Sequence, residues 1–133
     1  MSDAAGYVGP QLARVLAEAG HDLVVGDPAE GLVDELEVLG ARVVTVDRVR
    51  DLSKPEASGA LLTAALDTYG RVDAAAAFTG KIVVGRFLSS SLDDLRVALS
   101  GCMEAPYNFL RAFAPAMVDQ DGGGQILVFT SAT

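Results

Sequence analysis

The sequence predicts an α/β protein with a doubly wound parallel sheet in a three-layer α/β/α arrangement. Short apolar runs rich in valine alternate with segments of helical period. Alternation of this kind is typical of a parallel sheet covered by helices on both faces. Half of the 133 residues are hydrophobic, which is enough to form a core. This length fits one domain, which we assign to residues 1–133.

Four short runs have the composition of strands that are buried on both faces. The third run is alanine-rich and is helical by propensity alone. Gly70 and Gly80 bound it closely, so we interpret it as a strand. The four predicted strands are residues 22–27, 42–47, 72–78 and 125–130.

One predicted helix precedes the first strand, and two more separate the first three strands. Pro10 opens the first helix, which ends at Gly20. The second covers residues 28–40. Ser53 and Glu56 form a Ser-x-x-Glu pattern, which predicts a capping box at the start of the third helix.

The fourth predicted helix is long and covers residues 91–118. Pro106 lies inside it. Because proline cannot donate the helical hydrogen bond, we expect a kink or break near residues 102–106.

The charge balance narrows the range of partners. Ten basic and 18 acidic residues give a net charge of −8, which disfavours nucleic acid and anionic membrane surfaces. No uncharged apolar run approaches the ~20 residues that span a bilayer, and residues 1–6 lack the pattern of a signal peptide. A single cysteine excludes an internal disulfide and a zinc cluster, so we expect no metal and a reducing cytoplasm.

Both ends of the sequence differ from a complete domain of this class. A glycine-bearing segment, Ala5–Pro10, opens the first helix, and only Met1–Asp3 precede it. A strand needs about five residues, so we expect the first strand to be absent. The last residues, Thr130–Thr133, follow a strand end, where active-site residues collect in open α/β sheets.

These motifs resemble the N-terminal half of the short-chain dehydrogenase/reductase superfamily, which has a Rossmann-like fold. The family's phosphate turn reads Thr-Gly-x-x-x-Gly-x-Gly, and its counterpart here is Ser2–Gly9. Gly9 falls on a family glycine, Asp3 and Tyr7 replace the other two, and Gly6 is displaced by one position. The resemblance implies that Gly6, Tyr7 and Gly9 contact a pyrophosphate, although Tyr7 would crowd it and Asp3 would repel it. The alternative is a purely structural turn.

Two aspartates and one leucine resemble residues of the family's adenosine pocket. Asp27 ends the second strand of that arrangement, and no arginine flanks it directly, so the resemblance implies NAD in preference to NADP. Asp51 and Leu52 resemble the Asp-Val pair that contacts adenine. The alternatives are a helix-capping role for Asp27 and a local structural role for Asp51.

The resemblance also implies candidate residues around the reacting groups. Gly80 is the surviving residue of the family's Asn-Asn-Ala-Gly, and Cys102 stands where the family has a helix-kinking asparagine. Ser131 falls on the catalytic serine. A buried structural cysteine and a strand-capping serine are the alternatives. The family's Tyr-x-x-x-Lys is expected a dozen or so residues further on, and the chain does not contain it.

The implied function is hydride transfer between a nicotinamide cofactor and a small carbonyl or secondary alcohol. Two alternatives remain open. The turn and the segment Phe129–Thr133 also resemble the halohydrin dehalogenases, which are cofactor-free lyases. The third possibility is a non-catalytic fragment, because the chain alone lacks the acid/base tyrosine. The family's use of the fourth helix implies a homo-oligomer formed through residues 91–118.

Overall fold

The computed structural model describes residues 1–81 and 83–130, and over these residues the chain alternates helices and strands. The first half contains α1 (Gly9–Glu18), β1 (Leu23–Gly26), α2 (Leu32–Val38), β2 (Val43–Val46) and α3 (Pro55–Tyr69). The second half contains β3 (Ala74–Phe78), a 3₁₀ turn (Phe87–Ser89), α4 (Leu92–Leu99), a π-helical turn (Ser100–Glu104), α5 (Ala105–Asp119) and β4 (Gln125–Phe129).

All four predicted strands are present, and they pair in parallel within two separate sheets. β1 pairs with β2, beginning at Leu23 opposite Val43. β3 pairs with β4, beginning at Ala74 opposite Gln125. The parallel α/β architecture expected from the alternating pattern is therefore confirmed.

The extended segment Met1–Ala4 lies between the two sheets and hydrogen-bonds to both. The Met1 carbonyl accepts from the Gly26 N–H at 2.9 Å, and the Ala4 N–H donates to the Gly26 carbonyl at 2.7 Å. On the other side, the Ser2 N–H donates to the Ala76 carbonyl at 2.9 Å. The Ser2 hydroxyl is buried and accepts from the Phe78 N–H at 2.8 Å. These four residues therefore bring the two sheets together at the carboxyl ends of their strands.

The helices form two layers with separate cores. One core packs α1 and α2 against β1 through residues such as Ala13, Leu36 and Val25. The other packs α3 and α5 against the opposite side of the sheets, with Leu61 and Phe109 at its centre. Burial of these side chains supplies the main stabilisation, at about 25 cal/mol per Å² of apolar area.

Two helix starts differ from the sequence-based expectation. The predicted capping box of Ser53 and Glu56 is wrong: the N-cap of α3 is Lys54, and no side chain caps it. The Ser53 hydroxyl and N–H instead donate to the Asp51 carboxylate, at 2.6 and 3.2 Å, and these two bonds to a charged acceptor hold Ser53 in the turn before the helix. A reciprocal capping box forms at α4, where Ser91 and Asp94 bond each other's backbone N–H groups.

The second predicted helix begins later than expected. Gly31 adopts a left-handed φ of 78° immediately before Leu32. This conformation, which is cheap only for glycine, keeps residues 28–31 in a turn. The helix is consequently confined to Leu32–Val38.

The break predicted in the long fourth helix is present as a change of helix type. α4 passes into the π-helical turn Ser100–Glu104 and then into α5. Pro106 lies in the first turn of α5, where no intrahelical N–H donor is needed. Of the helices in the part of the chain that the structure describes, none is long and apolar enough to cross a membrane.

Candidate functional site

The candidate site lies at the carboxyl ends of β1, β2 and β3, where three loops and the turn before α1 meet. Parallel strands place their carboxyl ends at the same edge of a sheet. The contacts of Met1–Ala4 with Gly26 and Ala76 align the two sheets at that edge. We call this region the carboxyl edge and define it by residues 3–9, 27, 48–52 and 79–81.

The turn before α1 is closed by backbone contacts. The Gly9 N–H donates to the Gly6 carbonyl at 3.0 Å. A Cβ at Gly9 would lie 2.5 Å from the Asp3 carbonyl oxygen, whereas a Cβ at Gly6 would have no neighbour within 4 Å. Gly9 therefore permits the close approach of α1 to Asp3, and the space beside Gly6 is open.

Tyr7 and Asp3, the two departures from the family turn, have clear positions. Tyr7 has a positive φ of 56° and its residue is 89% exposed, so its side chain projects into solvent. The Asp3 carboxylate accepts from the Ala5 N–H at 3.1 Å and lies 3.4 Å from Arg50 Nε. Its negative charge is therefore partly balanced within the site.

Asp27 binds the loop that follows β2. One carboxylate oxygen accepts from the Arg48 N–H at 2.8 Å, and the other accepts from the Val49 N–H at 2.9 Å. Asp27 itself has a positive φ of 44°, a conformation that aspartate tolerates better than most residues. Each oxygen keeps a second lone pair, so the carboxylate can still accept a hydroxyl group.

Asp51 joins this loop to the segment after β3. Its carboxylate accepts from the Ser53 hydroxyl and lies 3.2 Å from Lys81 Nζ. The Ser53 hydroxyl, with a further contribution from Lys81, holds the pKa of Asp51 below its usual value. Leu52 is buried, and its carbonyl accepts from the Asn108 side chain at 3.2 Å. The loop is thus attached to α5 as well.

Gly80 is held against the π-helical turn. Its N–H donates to the Gly101 carbonyl at 3.0 Å. A Cβ at Gly101 would overlap the backbone of Gly80 and Lys81, so only glycine allows this contact. Cys102 lies in the same turn and is half-buried.

The structure therefore brings Gly6, Gly9, Asp27, Asp51 and Gly80 to one edge. Ser131 lies outside the described residues. Within those residues, no group of three or more His, Cys, Asp or Glu side chains could hold a metal ion. Asp27, Arg48, Arg50 and Asp51 line a surface hollow of about 340 Å³.

Sequence reasoning missed several residues at this edge. Lys81 follows Gly80 directly and could have been noticed as the cation nearest a candidate site. Arg48 and Arg50 alternate along the loop before Asp51. No sequence pattern pointed to Asn108 or Gly101. Their partners, Leu52 and Gly80, lie 56 and 21 residues away in the chain.

Comparison with known proteins identifies extensive similarity. A family model described as enoyl-(acyl carrier protein) reductase matches residues 4–133. An L-rhamnose 1-dehydrogenase (NAD(P)(+)) of Sphingomonas sp. (strain SKA58) is 27% identical over 129 residues, covering 93% of this chain and 50% of that protein. The chain thus spans about half the length of the curated relatives that it matches.

Two solved structures share the architecture. A 7α-hydroxysteroid dehydrogenase in complex with NADH and 7-oxo glycochenodeoxycholic acid has a TM-score of 0.84 and 28% identity, covering 98% of this chain and 51% of that one. An alcohol dehydrogenase of the archaeon Thermococcus sibiricus in complex with 5-hydroxy-NADP has a TM-score of 0.83 and 26% identity, covering 96% of this chain and 55% of that one.

Proposed function

The chain belongs to the short-chain dehydrogenase/reductase superfamily, and from this premise we propose that it forms the nucleotide-binding half of a hydride-transferring oxidoreductase. The substrate class is a small carbonyl compound or secondary alcohol, and the compartment is a reducing cytoplasm. The observation that carries the proposal is the convergence of Asp27, Asp51 and Gly80 at the carboxyl edge. Ligands bind outside the carboxyl ends of the strands in open α/β sheets.

The residues of this edge fit a dinucleotide. The open space beside Gly6 leaves room for a pyrophosphate, and the positive end of the α1 dipole favours negative charge there. Asp27 keeps lone pairs for the ribose hydroxyls, and the loop at Asp51 and Leu52 forms the adenine side. The nicotinamide, when bound, supplies hydride chemistry at its C4 position. Gly80 leaves the backbone after β3 unobstructed.

Ser131 and Cys102 complete the proposed roles around the reacting carbon. The Ser131 hydroxyl would hydrogen-bond the substrate oxygen and stabilise the charge that develops on it. Cys102, in the π-helical turn, occupies the position of a residue that holds water in related enzymes. No tyrosine in the sequence is followed by lysine four residues later. We therefore expect the 133-residue chain alone to bind nucleotide without turnover.

NAD is the preferred cofactor in this proposal. A 2′-phosphate beside the Asp27 carboxylate would bring two negative groups together, and such a contact costs affinity. Arg48 and Arg50 line the same hollow and would favour a 2′-phosphate, so they oppose the effect of Asp27. Titration with NADH and with NADPH tests the preference. We expect at least about tenfold tighter binding of NADH, which is about 1.4 kcal/mol; tighter binding of NADPH would contradict it.

Binding of NADH by the full chain tests the proposed function itself. The sequence contains no tryptophan, so NADH fluorescence can be followed without interference from indole emission. We expect saturable binding that Asp27→Ala weakens at least about tenfold. His21→Gln is the matched control, because His21 is exposed and lies at the opposite end of β1. A folded chain that binds no NADH would contradict the proposal and favour the cofactor-free lyase.

A second copy of the chain is the proposed partner for the long helical segment. Large apolar side chains on this segment are exposed, among them Leu92, Leu95 and Met103, each more than half exposed. Sedimentation velocity provides the test. Leu95→Asp is expected to shift a dimer towards monomer, whereas Val38→Asp, on the exposed face of α2, is not. A wild-type chain that is monomeric at high concentration would contradict this assignment.

A further inference from the structure

An ion pair connects the turn before α1 to the loop after β2. The Asp3 carboxylate lies 3.4 Å from Arg50 Nε, and it also accepts from the Ala5 N–H at 3.1 Å. The Asp3 side chain is 24% exposed, whereas the Arg50 side chain is 60% exposed. Because the carboxylate is partly shielded from water, its charge acts more strongly on its surroundings than a fully exposed charge does.

Arg50 is placed by buried residues on both sides of it. Val49 and Leu52 are buried, and the Asp27 carboxylate accepts from the Val49 N–H at 2.9 Å. A Cβ at Gly26 would lie 2.6 Å from the Val49 side chain, so the glycine admits Val49 at this point. The backbone at Arg50 is consequently held in place, and its exposed side chain reaches the turn.

The formal charge of the carboxyl edge is zero, although the whole chain carries −8. The acidic residues of the edge are Asp3, Asp27 and Asp51, and its basic residues are Arg48, Arg50 and Lys81. Lys81 balances Asp51 at a distance of 3.2 Å, and Arg50 balances Asp3. The charge of the turn therefore depends on Arg50.

The turn has room for an anion, but its own charge is negative. Asp3 is the only charged residue in the sequence from Asp3 to Gly9. The space beside Gly6 is open, and Tyr7 projects into solvent. Like charges at close range repel each other near a protein surface. Without Arg50, the turn would repel the pyrophosphate that the proposed function places there.

The following inference rests on the proposed function. We infer that Arg50 is a positioning residue for the cofactor's pyrophosphate, because its guanidinium balances the Asp3 carboxylate and so allows an anion to bind beside Gly6. An aspartate in place of a glycine in this turn thereby becomes compatible with a dinucleotide. Arg50 acts through Asp3, so the arginine is needed because the aspartate is present.

NADH fluorescence titration of three variants of the full chain tests the inference. Arg50→Gln leaves the Asp3 charge unbalanced, and we expect at least about tenfold weaker binding of NADH. Asp3→Asn removes the charge and keeps an oxygen that can accept from the Ala5 N–H, so it should bind NADH at least as tightly as the unmodified chain. The double variant should bind within about threefold of the unmodified chain, because the two effects are coupled.

Arg14→Gln is the matched control. It breaks an arginine–carboxylate pair with Glu35 that lies outside the carboxyl edge, between α1 and α2, and it should change NADH affinity by less than about twofold. Circular dichroism checks that each variant is folded. An unchanged NADH affinity of Arg50→Gln would overturn the inference. A double variant as weak as Arg50→Gln would also overturn it, because Arg50 would then act on the loop and not through the charge of Asp3.

Titration with inorganic pyrophosphate separates a failure of this inference from a failure of the proposed function. We expect pyrophosphate to shift the NMR signals of Gly6 and Tyr7, with at least about tenfold weaker binding in Arg50→Gln. Such binding by a chain that does not bind NADH would support the inference and contradict the proposed function. Binding of NADH that does not depend on Arg50 would overturn the inference alone, and binding of neither ligand would overturn both.

Discussion

The two ends of the strands are built differently. At the carboxyl edge, Asp27, Asp51 and Gly80 connect separate loops through backbone bonds and ion pairs. At the amino ends, Asp22 pairs with Arg42 and Asp73 pairs with Arg71, but each pair stays within its own sheet. The four residues Met1–Ala4 bridge the sheets at the carboxyl edge alone.

This difference shows how far the alignment of the two sheets depends on a few backbone hydrogen bonds. These bonds align the carboxyl ends of the two sheets, whereas towards their amino ends β1 and β3 belong to separate sheets. Tyr69 illustrates the contrast. Its hydroxyl donates to the Arg42 carbonyl at 2.9 Å, and burial raises its pKa, so it reinforces β2 without reaching β3.

The largest expected effect is the pH dependence of stability that the Met1 amino group causes. This group lies between the carboxyl edge and the amino ends of the strands. Burial lowers its pKa from 8.0 to about 5. Between pH 5 and 8 the unfolded chain binds a proton that the folded chain does not. The free energy of unfolding should therefore rise as pH increases from 5 to 8, by about 4 kcal/mol at most, and level off above 8.

Urea denaturation across this pH range measures the effect. Acetylation of the amino terminus removes the titrating group, so the acetylated chain should lose this pH dependence. A free energy of unfolding that is flat from pH 5 to 8 in the unmodified chain would show that the amine is solvated.

Gly101→Ala should produce the next largest effect, at the carboxyl edge. The added Cβ would collide with the Gly80–Lys81 backbone, and relief requires separating the π-helical turn from β3. We expect a loss of about 2–3 kcal/mol in the free energy of unfolding, as for overpacking in a core. Gly59→Ala in α3 is the control, because a Cβ there meets nothing within 4 Å, and it should stabilise by up to about 1 kcal/mol.

Thermal and urea unfolding of both variants measure this difference. Equal stability of the two variants would mean that the contact between Gly80 and Gly101 does not restrain the site.

Asp27→Asn should have a smaller effect. The amide nitrogen of asparagine would replace one of the two carboxylate oxygens, and this nitrogen cannot accept from the backbone N–H that the oxygen binds. The loop after β2 would therefore lose one of its two charge-assisted bonds, to Arg48 or to Val49. We expect a loss of about 1–2 kcal/mol. Asp47→Asn, an exposed position in the same loop, should change the free energy by less than about 0.5 kcal/mol. Urea denaturation measures both variants. Equal urea midpoints for Asp27→Asn and Asp47→Asn would contradict the structural role of Asp27.

Much of the fold could be predicted because its signals are local. Runs such as Val43–Val46 and Ala74–Phe78 lie between glycines and polar residues, and the break before Pro106 follows from proline geometry. Helix starts were less predictable. In a capping box the Ser53 hydroxyl would accept from the Glu56 N–H, but in the structure it donates to the Asp51 carboxylate.

The candidate site was only half predictable. Asp27, Asp51 and Gly80 could be found because the segments around them resemble motifs of the family. The bonds of Gly101 to Gly80 and of Asn108 to Leu52 join distant parts of the chain, and periodicity carries no information about such pairs. The open space beside Gly6 likewise depends on how the turn packs.

The order and parallel character of the elements were determined by the sequence itself, because hydrophobic periodicity and glycine or proline punctuation act over a few residues. The tertiary structure decided that Met1–Ala4 bridge two sheets, that the Met1 amine is buried and that Gly80 bonds Gly101. These features depend on how strand edges come together, and the hydrogen bonds between edges are made by backbone groups that every residue shares.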